Sequence, residues 1–411
     1  MFLALLSADP IAPALLLLAL MWLAAKVGGE LALRLHLPAV AGELGVGLAL
    51  GALARAIPGF PDAAASPAAE LLAGLGVVVL MFAVGLESTV SQMMKVGVAA
   101  VRVASIGVVL PMAAGLGGAA LLLPRGTPFL ASLFIGACLC ATSIGISAQV
   151  LREKGAARSA EGRIIVGAAV IDDVLGLLVL VAVSGAVAAS AAGVLAWGPL
   201  AKTMALALLF LSLALTLGRF ATPHLFKLAT RFRSEQVLLP VALGFAFLLA
   251  WLGHWAGLAP IVGAYAAGLI MEPAHIRTLE ERELHSLEDL VHPLVVTLSP
   301  VFFVLMGARV DVSALFSPSV LLFAVVLALL GTLGKLAAGW GAGPGARALV
   351  VGWGMVPRGE VGLIFVAAGS QLRLGGAPLL SPELQAGIVG ALLLTTIAGP
   401  LGLNQALRRS A

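Results

Sequence analysis

The sequence predicts an all-α polytopic membrane protein with about thirteen transmembrane helices, because its apolar runs approach the roughly 20 residues that span a bilayer. The chain is 61% hydrophobic, its mean hydropathy is +1.11, and only 11% of its 411 residues are charged. Soluble domains carry about 25% charged residues, so the composition excludes a soluble protein. The predicted spans are 11–33, 38–56, 68–86, 96–123, 128–151, 162–190, 194–219, 236–256, 258–271, 292–308, 317–341, 346–372 and 384–407.

The positive charges divide unevenly between the two sides of the predicted membrane. If the N-terminus is outside, most Lys and Arg residues lie at inner loops, and the opposite side keeps only Arg55, Arg125, Arg309, Arg373 and Lys202. Short loops rich in Lys and Arg stay in the cytoplasm. We therefore expect a multi-pass protein of the cell (inner) membrane, with its N-terminus outside and its C-terminus cytoplasmic. The net charge of +4 does not indicate nucleic-acid binding.

Two pairs of segments predict an internal repeat. Residues 37–51 (LPAVAGELGVGLALG) and 259–272 (APIVGAYAAGLIME) both place a proline second, a valine two residues later and Gly-Leu further on. Residues 81–87 (MFAVGLE) and 302–311 (FFVLMGARVD) form the second pair. Both pairs are seven spans apart, and an odd offset inverts the copy in the membrane. Inverted repeats are typical of transporters.

Two neighbouring aspartates, Asp172 and Asp173, lie inside the apolar run 164–189. A charge near the centre of a bilayer costs about 3 kcal/mol even on lenient insertion scales. A chain that keeps two carboxylates there is expected to bind something positive. The pair therefore predicts a proton or cation site.

Lys335 stands alone in the apolar segment 329–339 and needs a buried carboxylate as its partner. Neighbouring residues on a helix point about 100° apart, so one aspartate can pair with Lys335 while the other faces an open cavity. A purely structural ion pair between Asp172 and Lys335 is the simpler reading, but it leaves Asp173 unexplained.

Two spans are predicted to be discontinuous. Residues 140–147 (CATSIGIS) place Thr142 and Ser143 among small residues, and residues 352–362 (GWGMVPRGEVG) contain Pro357 between glycines. Freed backbone groups survive in a membrane only where protein or a water-filled cavity satisfies them. Two interrupted helices at corresponding places in two halves point to a site near the midplane.

Further ionisable residues lie at membrane depth or beside it. Arg358, Glu360 and Glu43 are expected to give structural or electrostatic support rather than to bind the ion directly. Residues 273–291 form the one long polar stretch, and their helical spacing predicts an amphipathic interfacial helix. We expect a solvated face there, while a pH sensor made of the histidines is the alternative: His275, His285 and His292.

The motifs together resemble the monovalent cation:proton antiporter-2 family, and within it the NapA-type sodium/proton antiporters. The resemblance covers nearly the whole chain and rests on segments in the same order: 141–151, 167–180, 259–269, 301–315, 333–339 and 356–364. It implies an NhaA-like fold with inverted repeats, in which the fifth and twelfth spans are two crossing discontinuous helices.

The resemblance also implies a domain organisation. An ion-binding core is expected over approximately 68–190 and 292–411, and a dimer domain over approximately 11–56 and 194–271. It implies a homodimer in which the core moves in an elevator-like manner. The nucleotide-binding domain of related potassium systems is not expected here.

The resemblance further implies roles for the site residues. Asp173 corresponds to the principal carboxylate for the alkali cation, Asp172 to the aspartate that pairs with the lysine, and Lys335 to that lysine, a proton carrier. Thr142 and Ser143 match the unwound segment beside the site. The double aspartate is typical of electrogenic exchangers.

The expected function is therefore sodium or lithium/proton antiport, with Na⁺ or Li⁺ and H⁺ as the transported ions and the lipid bilayer as surroundings. No cofactor, enzymatic activity or nucleic-acid partner is expected. Potassium/proton antiport by the same machinery is the alternative. An intramembrane aspartyl protease would need aspartates on separate helices, and an organic-anion symporter would favour neutral sodium ligands.

Overall fold

The protein is built almost entirely from α-helices. The computed structural model describes residues 11–35, 37–87, 97–157, 159–190, 197–232, 236–256, 258–271, 285–315 and 317–408. The helices are α1 (Ile11–Arg34), α2 (Ala39–Ala56), α3 (Pro67–Glu87), α4 (Val98–Leu122), α5 (Phe129–Cys138), α6 (Ile144–Glu153), α7 (Ala160–Ala189), α8 (Trp197–Ala229), α9 (Leu238–Trp255), α10 (Pro260–Ile270), α11 (Leu287–Arg309), α12 (Val312–Leu315), α13 (Pro318–Ala338), α14 (Ala348–Met355), α15 (Glu360–Gln371) and α16 (Pro382–Arg408). A 3₁₀ helix (Gly339–Ala342) continues α13, and strands β1 (Arg373–Leu374) and β2 (Ala377–Pro378) form an antiparallel hairpin.

Each predicted span coincides with one helix or with a pair of helices. Among the described residues, nine helices are long and apolar enough to cross a membrane: α1, α2, α3, α4, α7, α9, α11, α13 and α16. Helices α5, α10 and most of α15 are apolar but shorter. The prediction of an all-α polytopic membrane protein is confirmed, while the count of about thirteen crossings stays a prediction.

The start of α11 differs from the predicted boundary. The interfacial helix was predicted over 273–291, but α11 already begins at Leu287, and residues 272–284 lie outside the described part of the chain. Ser286 caps α11, because its hydroxyl accepts a hydrogen bond from the backbone N of Asp289 at 3.1 Å and donates one to Oδ2 of Asp289 at 2.6 Å. Because of this reciprocal capping, α11 begins at Leu287, several residues before the predicted apolar span.

The chain divides into two compact units. Helix α3 packs against both α10 and α11, so the third and tenth spans, which were predicted to belong to the core domain, are grouped in unit 1. Unit 1 also contains α9 and α10, and unit 2 contains α4 to α7 and α12 to α16. Unit 1 takes its described residues from Met1–Leu31, Gly42–Ser91 and Ala205–Arg309, and unit 2 from Ala32–Ala41, Gln92–Met204 and Val310–Ala411.

Two glycine crossings in unit 1 are equivalent under the predicted repeat. A Cβ atom built on Gly307 of α11 would lie 2.9 Å from the Cα of Gly47 on α2. A Cβ atom built on Gly85 of α3 would lie 3.1 Å from the Cα of Gly268 on α10. In the predicted repeat, α2 corresponds to α10 and α3 corresponds to α11. The crossing of α2 with α11 therefore corresponds to the crossing of α10 with α3. Such small-residue contacts let membrane helices approach closely.

Polar contacts also join the helices of unit 1. Pro300 has no N–H, so it cannot donate to the carbonyl of Val296 one turn earlier in α11. Nζ of Lys26 on α1 lies 3.4 Å from that carbonyl oxygen. At the end of α11, Nη2 of Arg309 lies 3.0 Å from Oε1 of Glu70 on α3. These contacts fix α1 and α3 on the surface of α11.

The core of unit 2 brings α7 and α14 together. Helix α4 packs against α5, α7 and α13, and α16 packs against α13 and α14. One buried hydrophobic cluster joins α4, α6, α7, α13, α14 and α16 with the 3₁₀ helix. Its members are Ala100, Val103, Ala104, Leu151, Ile165, Ala168, Ala338, Ala342, Val350, Val351, Met355, Leu403 and Ala406.

We expect Gly307→Ala to destabilise the protein, because the new Cβ would lie 2.8 Å from the backbone N of Leu48 and 2.9 Å from the Cα of Gly47. Overpacking of this kind lowers the free energy of unfolding by about 1–3 kcal/mol. The matched control is Gly45→Ala on α2, where in the described structure a built Cβ meets no heavy atom within 4 Å. Thermal melting in detergent should show a lower midpoint for Gly307→Ala alone. Equal midpoints for both variants would contradict the crossing.

Candidate functional site

Two buried carboxylates follow each other in the middle of α7. Asp172 is 0% exposed and Asp173 is 4% exposed. Oδ1 of Asp172 lies 2.9 Å from Nζ of Lys335 on α13, and both of these side chains are fully buried. The structure thus contains the pairing that the sequence favours. Since neighbours on a helix point about 100° apart, Asp173 lies to one side of this pair.

The opposite charges of Lys335 and Asp172 neutralise each other, but the pair contributes little net stability to the fold. Removing two ions from water costs several kcal/mol per ion, and their attraction repays this only with good geometry. Removal of one partner leaves an uncompensated buried charge and costs about 3–5 kcal/mol. Among the described residues, Oδ2 of Asp172 has no hydrogen-bond partner. One oxygen of this carboxylate is therefore available to a further cation.

Two helix interruptions lie in unit 2, as predicted for the fifth and twelfth spans. The first separates α5 from α6, and the second separates α14 from α15. At the second, Pro357 lacks the N–H that a continuing helix would need. Gly359 follows with backbone angles (φ −132°, ψ −137°) that belong to neither an α-helix nor an extended strand. A Cβ atom on Gly359 would lie 2.7 Å from Oγ of Ser143, so glycine permits the close approach of the first interruption.

The two interruptions cross and satisfy each other's backbone groups. The backbone N of Ser143 donates to the carbonyl oxygen of Pro357 at 2.8 Å. The hydroxyl of Thr142 donates to the carbonyl oxygen of Met355 at 3.0 Å. These bonds replace the helical ones that the interruptions remove, as a membrane interior requires. The crossing therefore fixes Thr142 and Ser143, both nearly fully buried, at the centre of unit 2.

Arg358 is a second buried cation in this region. Its side chain is 0% exposed, and its Nη1 donates to the carbonyl oxygen of Ala141 at 2.6 Å. Its Nη2 lies 3.4 Å from the carbonyl oxygen of Gly331 on α13, and its own carbonyl accepts a hydrogen bond from Thr396 on α16. Arg358 therefore joins three segments, while its expected electrostatic role stays a prediction. The side chain of Glu360 lies outside the described structure.

The four buried charges of the site balance when all are ionised. Asp172 interacts electrostatically with both Lys335 and Arg358. With Asp173 ionised as well, two negative charges face two positive charges. The charges of the described site are therefore balanced only while both carboxylates are ionised.

The remaining sequence candidates lie in unit 1 or outside the described chain. Glu43 on α2 is 7% exposed, and its carboxylate interacts with the charge of Lys26 on α1. His285 precedes α11, and His292 lies within it. His275 lies outside the described residues.

Two residues that take part in the contacts of unit 2 were not predicted from the sequence: Thr396 and Glu161. Thr396 is an ordinary hydroxyl in an apolar helix, and nothing in its sequence context indicates the carbonyl of Arg358 as its partner. Glu161 on α7 lies 2.8 Å from Nε of Arg347. The only signal for Glu161 was an acidic residue in the first turn of a helix capped by Ser159.

Several proteins of similar sequence are named as antiporters. A family model for the transmembrane sodium/hydrogen exchanger matches residues 15–409. The high-affinity Na⁺/H⁺ antiporter NhaS3 of Synechocystis is 35% identical, with 95% of this chain and 89% of that protein covered. The Na⁺/H⁺-K⁺ antiporter GerN of Bacillus cereus is 31% identical, with 93% of each covered. The Na⁺/H⁺ antiporter of Enterococcus hirae is 31% identical, with 94% of this chain and 96% of that protein covered.

A solved structure shares the fold. The sodium proton antiporter MjNhaP1 of Methanocaldococcus jannaschii superposes with a TM-score of 0.71 at 18% identity and covers 98% of both chains. This likeness confirms the predicted antiporter fold. The family match extends over almost the whole length and includes both interruptions and the aspartate pair, so the chain belongs to the transmembrane sodium/hydrogen exchanger family.

Proposed function

We propose that the chain is a secondary active antiporter that exchanges Na⁺ or Li⁺ for H⁺. The observation that carries this proposal is the fully buried pair of Lys335 and Asp172 beside a second carboxylate, Asp173. Ionisable residues at membrane depth mark ion and proton pathways. The relatives that are named Na⁺/H⁺ antiporters support the same function.

Asp173 is the principal ligand of the cation in this proposal. Alkali cations are hard ions and, like Ca²⁺ and Mg²⁺, favour oxygen ligands. Asp173 supplies a carboxylate, Oδ2 of Asp172 supplies a second one, and Thr142 and Ser143 contribute oxygen atoms from the crossing. Arg358, Glu360 and Glu43 adjust the electric field and do not bind the ion.

Exchange follows from competition at one site. When protons are abundant, the carboxylates hold them and Lys335 is only weakly paired. As the pH rises, Asp173 loses its proton and attracts the cation, which draws Asp172 away from Lys335. The lysine then releases its proton, because its counter-charge is engaged elsewhere. We expect about two protons to be exchanged per cation, because Asp173 must be deprotonated to bind the cation and Lys335 releases the second proton. Net charge then moves in each cycle.

Alternating access requires the loaded site to open to the other side. We take unit 2 as the moving core, because it holds both interrupted helices together with Asp172, Asp173, Lys335 and Arg358. The movement is elevator-like, and a homodimer formed through the domain predicted over 11–56 and 194–271 supports it. The protein lies in the cell (inner) membrane with its N-terminus outside and its C-terminus in the cytoplasm.

Potassium/proton exchange is the second candidate function. GerN, at 31% identity, is named a Na⁺/H⁺-K⁺ antiporter, so related sequences are named for potassium as well as sodium. The same carboxylate pair would serve a larger cation if the crossing leaves more room. The two functions differ only in the ion that is accepted.

Vesicles with an imposed pH gradient separate these candidates. We expect Na⁺ and Li⁺, supplied in turn, to collapse the gradient and to restore the fluorescence of a quenched pH dye, whereas K⁺ should not. Protein-free vesicles are the control. A response to K⁺ alone would select the alternative, and a lack of response to all three cations would overturn both.

Asp173→Asn should abolish sodium-driven proton flux in proteoliposomes, because the amide carries no charge to attract Na⁺ and cannot exchange a proton. The matched control is Asp62→Asn in an exposed loop, where Oδ1 of the carboxylate accepts a hydrogen bond from the backbone N of Ala64 at 2.8 Å. We expect normal flux from the control. Full flux from Asp173→Asn would rule out its role as the ligand.

Lys335→Gln should reduce the net charge moved per cation, because the variant has no ammonium proton to release. Transient currents on solid-supported membranes measure this charge. Lys227→Gln on the exposed end of α8 is the control, and its currents should equal those of the wild type. Unchanged currents in a folded Lys335→Gln protein would contradict the proton-carrier role.

A further inference from the structure

An ion pair outside the ion site joins the starts of two helices of unit 2. Oε1 of Glu161, in the first turn of α7, accepts hydrogen bonds from Nε of Arg347 at 2.8 Å and from the backbone N of Arg347 at 3.2 Å. Arg347 is the residue immediately before α14. Glu161 is buried, whereas the side chain of Arg347 is 41% exposed. One carboxylate oxygen thus receives both donors at the start of α14.

Helix α14 is too short to be stable without contacts to the rest of unit 2. It has eight residues and is therefore only about 12 Å long. Isolated helices shorter than roughly 12 residues are marginal, so its place in the fold must come from contacts. In the described structure, its N-cap residue Arg347 provides no side-chain cap of its own. The carboxylate of Glu161 instead accepts the backbone N–H of Arg347. Its negative charge also interacts favourably with the positive N-terminal end of the helix dipole.

The other end of α14 is held by the same helix. A Cβ atom built on Gly354 would lie 2.7 Å from Cγ1 of Ile165 on α7. Helix α7 therefore contacts α14 at both ends, through Glu161 at the start and Ile165 near the finish. Any slide of α14 along α7 would break the ion pair or press Gly354 into Ile165.

The carbonyl end of α14 builds the crossing. The carbonyl oxygen of Gly354 accepts a hydrogen bond from Ser147 at 2.6 Å, and that of Met355 accepts one from Thr142 at 3.0 Å. This end of the helix carries a partial negative charge. A shift of α14 would therefore move both the oxygen-rich crossing and the local field.

We infer that Glu161 and Arg347 are positioning residues for the transported cation. Their pair sets the place of α14 along α7, and thereby the distance between the crossing and the carboxylate of Asp173. This inference rests on the proposed antiport function and adds a determinant of cation affinity away from the site. Neither side chain touches the ion.

Sodium-dependent proton flux in proteoliposomes tests the inference. We expect Glu161→Ala to raise the KM for Na⁺ about tenfold, the effect of losing a supporting partner of a metal ligand, with the maximal rate nearly unchanged. Glu161→Gln should regain most of the affinity, because its amide oxygen can still accept the backbone N–H. Arg347→Ala should have a smaller effect than Glu161→Ala, since that backbone bond remains.

A matched ion pair in unit 1 provides the control. Glu70→Ala removes the partner of Arg309, whose Nη2 lies 3.0 Å from it, and should leave the KM unchanged. A wild-type KM in Glu161→Ala, or an equal change in Glu70→Ala, would overturn the inference while the antiport function stands. If Glu161→Ala melts early, Arg347→Ala decides, and its wild-type KM would overturn the inference. A wild-type protein without sodium-dependent flux would instead overturn the proposed function, and the inference with it.

Discussion

The ion pair between Lys335 and Asp172 is the interaction on which the rest of unit 2 depends. Both side chains are fully buried, so neither charge is stabilised by bulk water. A buried pair gives little net stability, yet loss of one partner costs about 3–5 kcal/mol. Removing either residue of such a pair is therefore costly, whereas replacing one positive partner of the carboxylate by another is not. We propose that a cation bound near Asp173 replaces Lys335 as the partner of Asp172, which is the condition that antiport at a single site requires.

The crossing of the two interrupted helices gives this pair its surroundings. Irregular backbone at membrane depth survives only where protein satisfies its polar groups, and the bonds from Ser143 to Pro357 and from Thr142 to Met355 do so here. Arg358 adds a bond to the carbonyl of Ala141 and a second positive charge. Arg358 therefore both satisfies a freed carbonyl of the crossing and interacts electrostatically with Asp172.

The sequence predicts those parts of the site whose residue types are unfavourable in an apolar membrane helix, whatever their partners are. A lone lysine and two aspartates in apolar runs predict a buried pair, and Pro357 among glycines predicts an interrupted helix. The partners of Arg358 could not be predicted, because backbone carbonyls at 141 and 331 carry no sequence signal. The grouping of α3 and α11 in unit 1 depends on glycine crossings such as Gly85 with Gly268, which exist only in three dimensions. The start of α11 depends on the cap formed by Ser286, which lies outside the apolar pattern.

Proton release during cation binding tests the central claim most directly. Purified protein in weakly buffered detergent solution is titrated with NaCl while a pH dye and a calorimeter follow the binding. Our account predicts that about two protons leave for each Na⁺ bound and that release saturates together with the heat. Saturable binding of Na⁺ with no release of protons would contradict the claim that this one site holds either the cation or the protons.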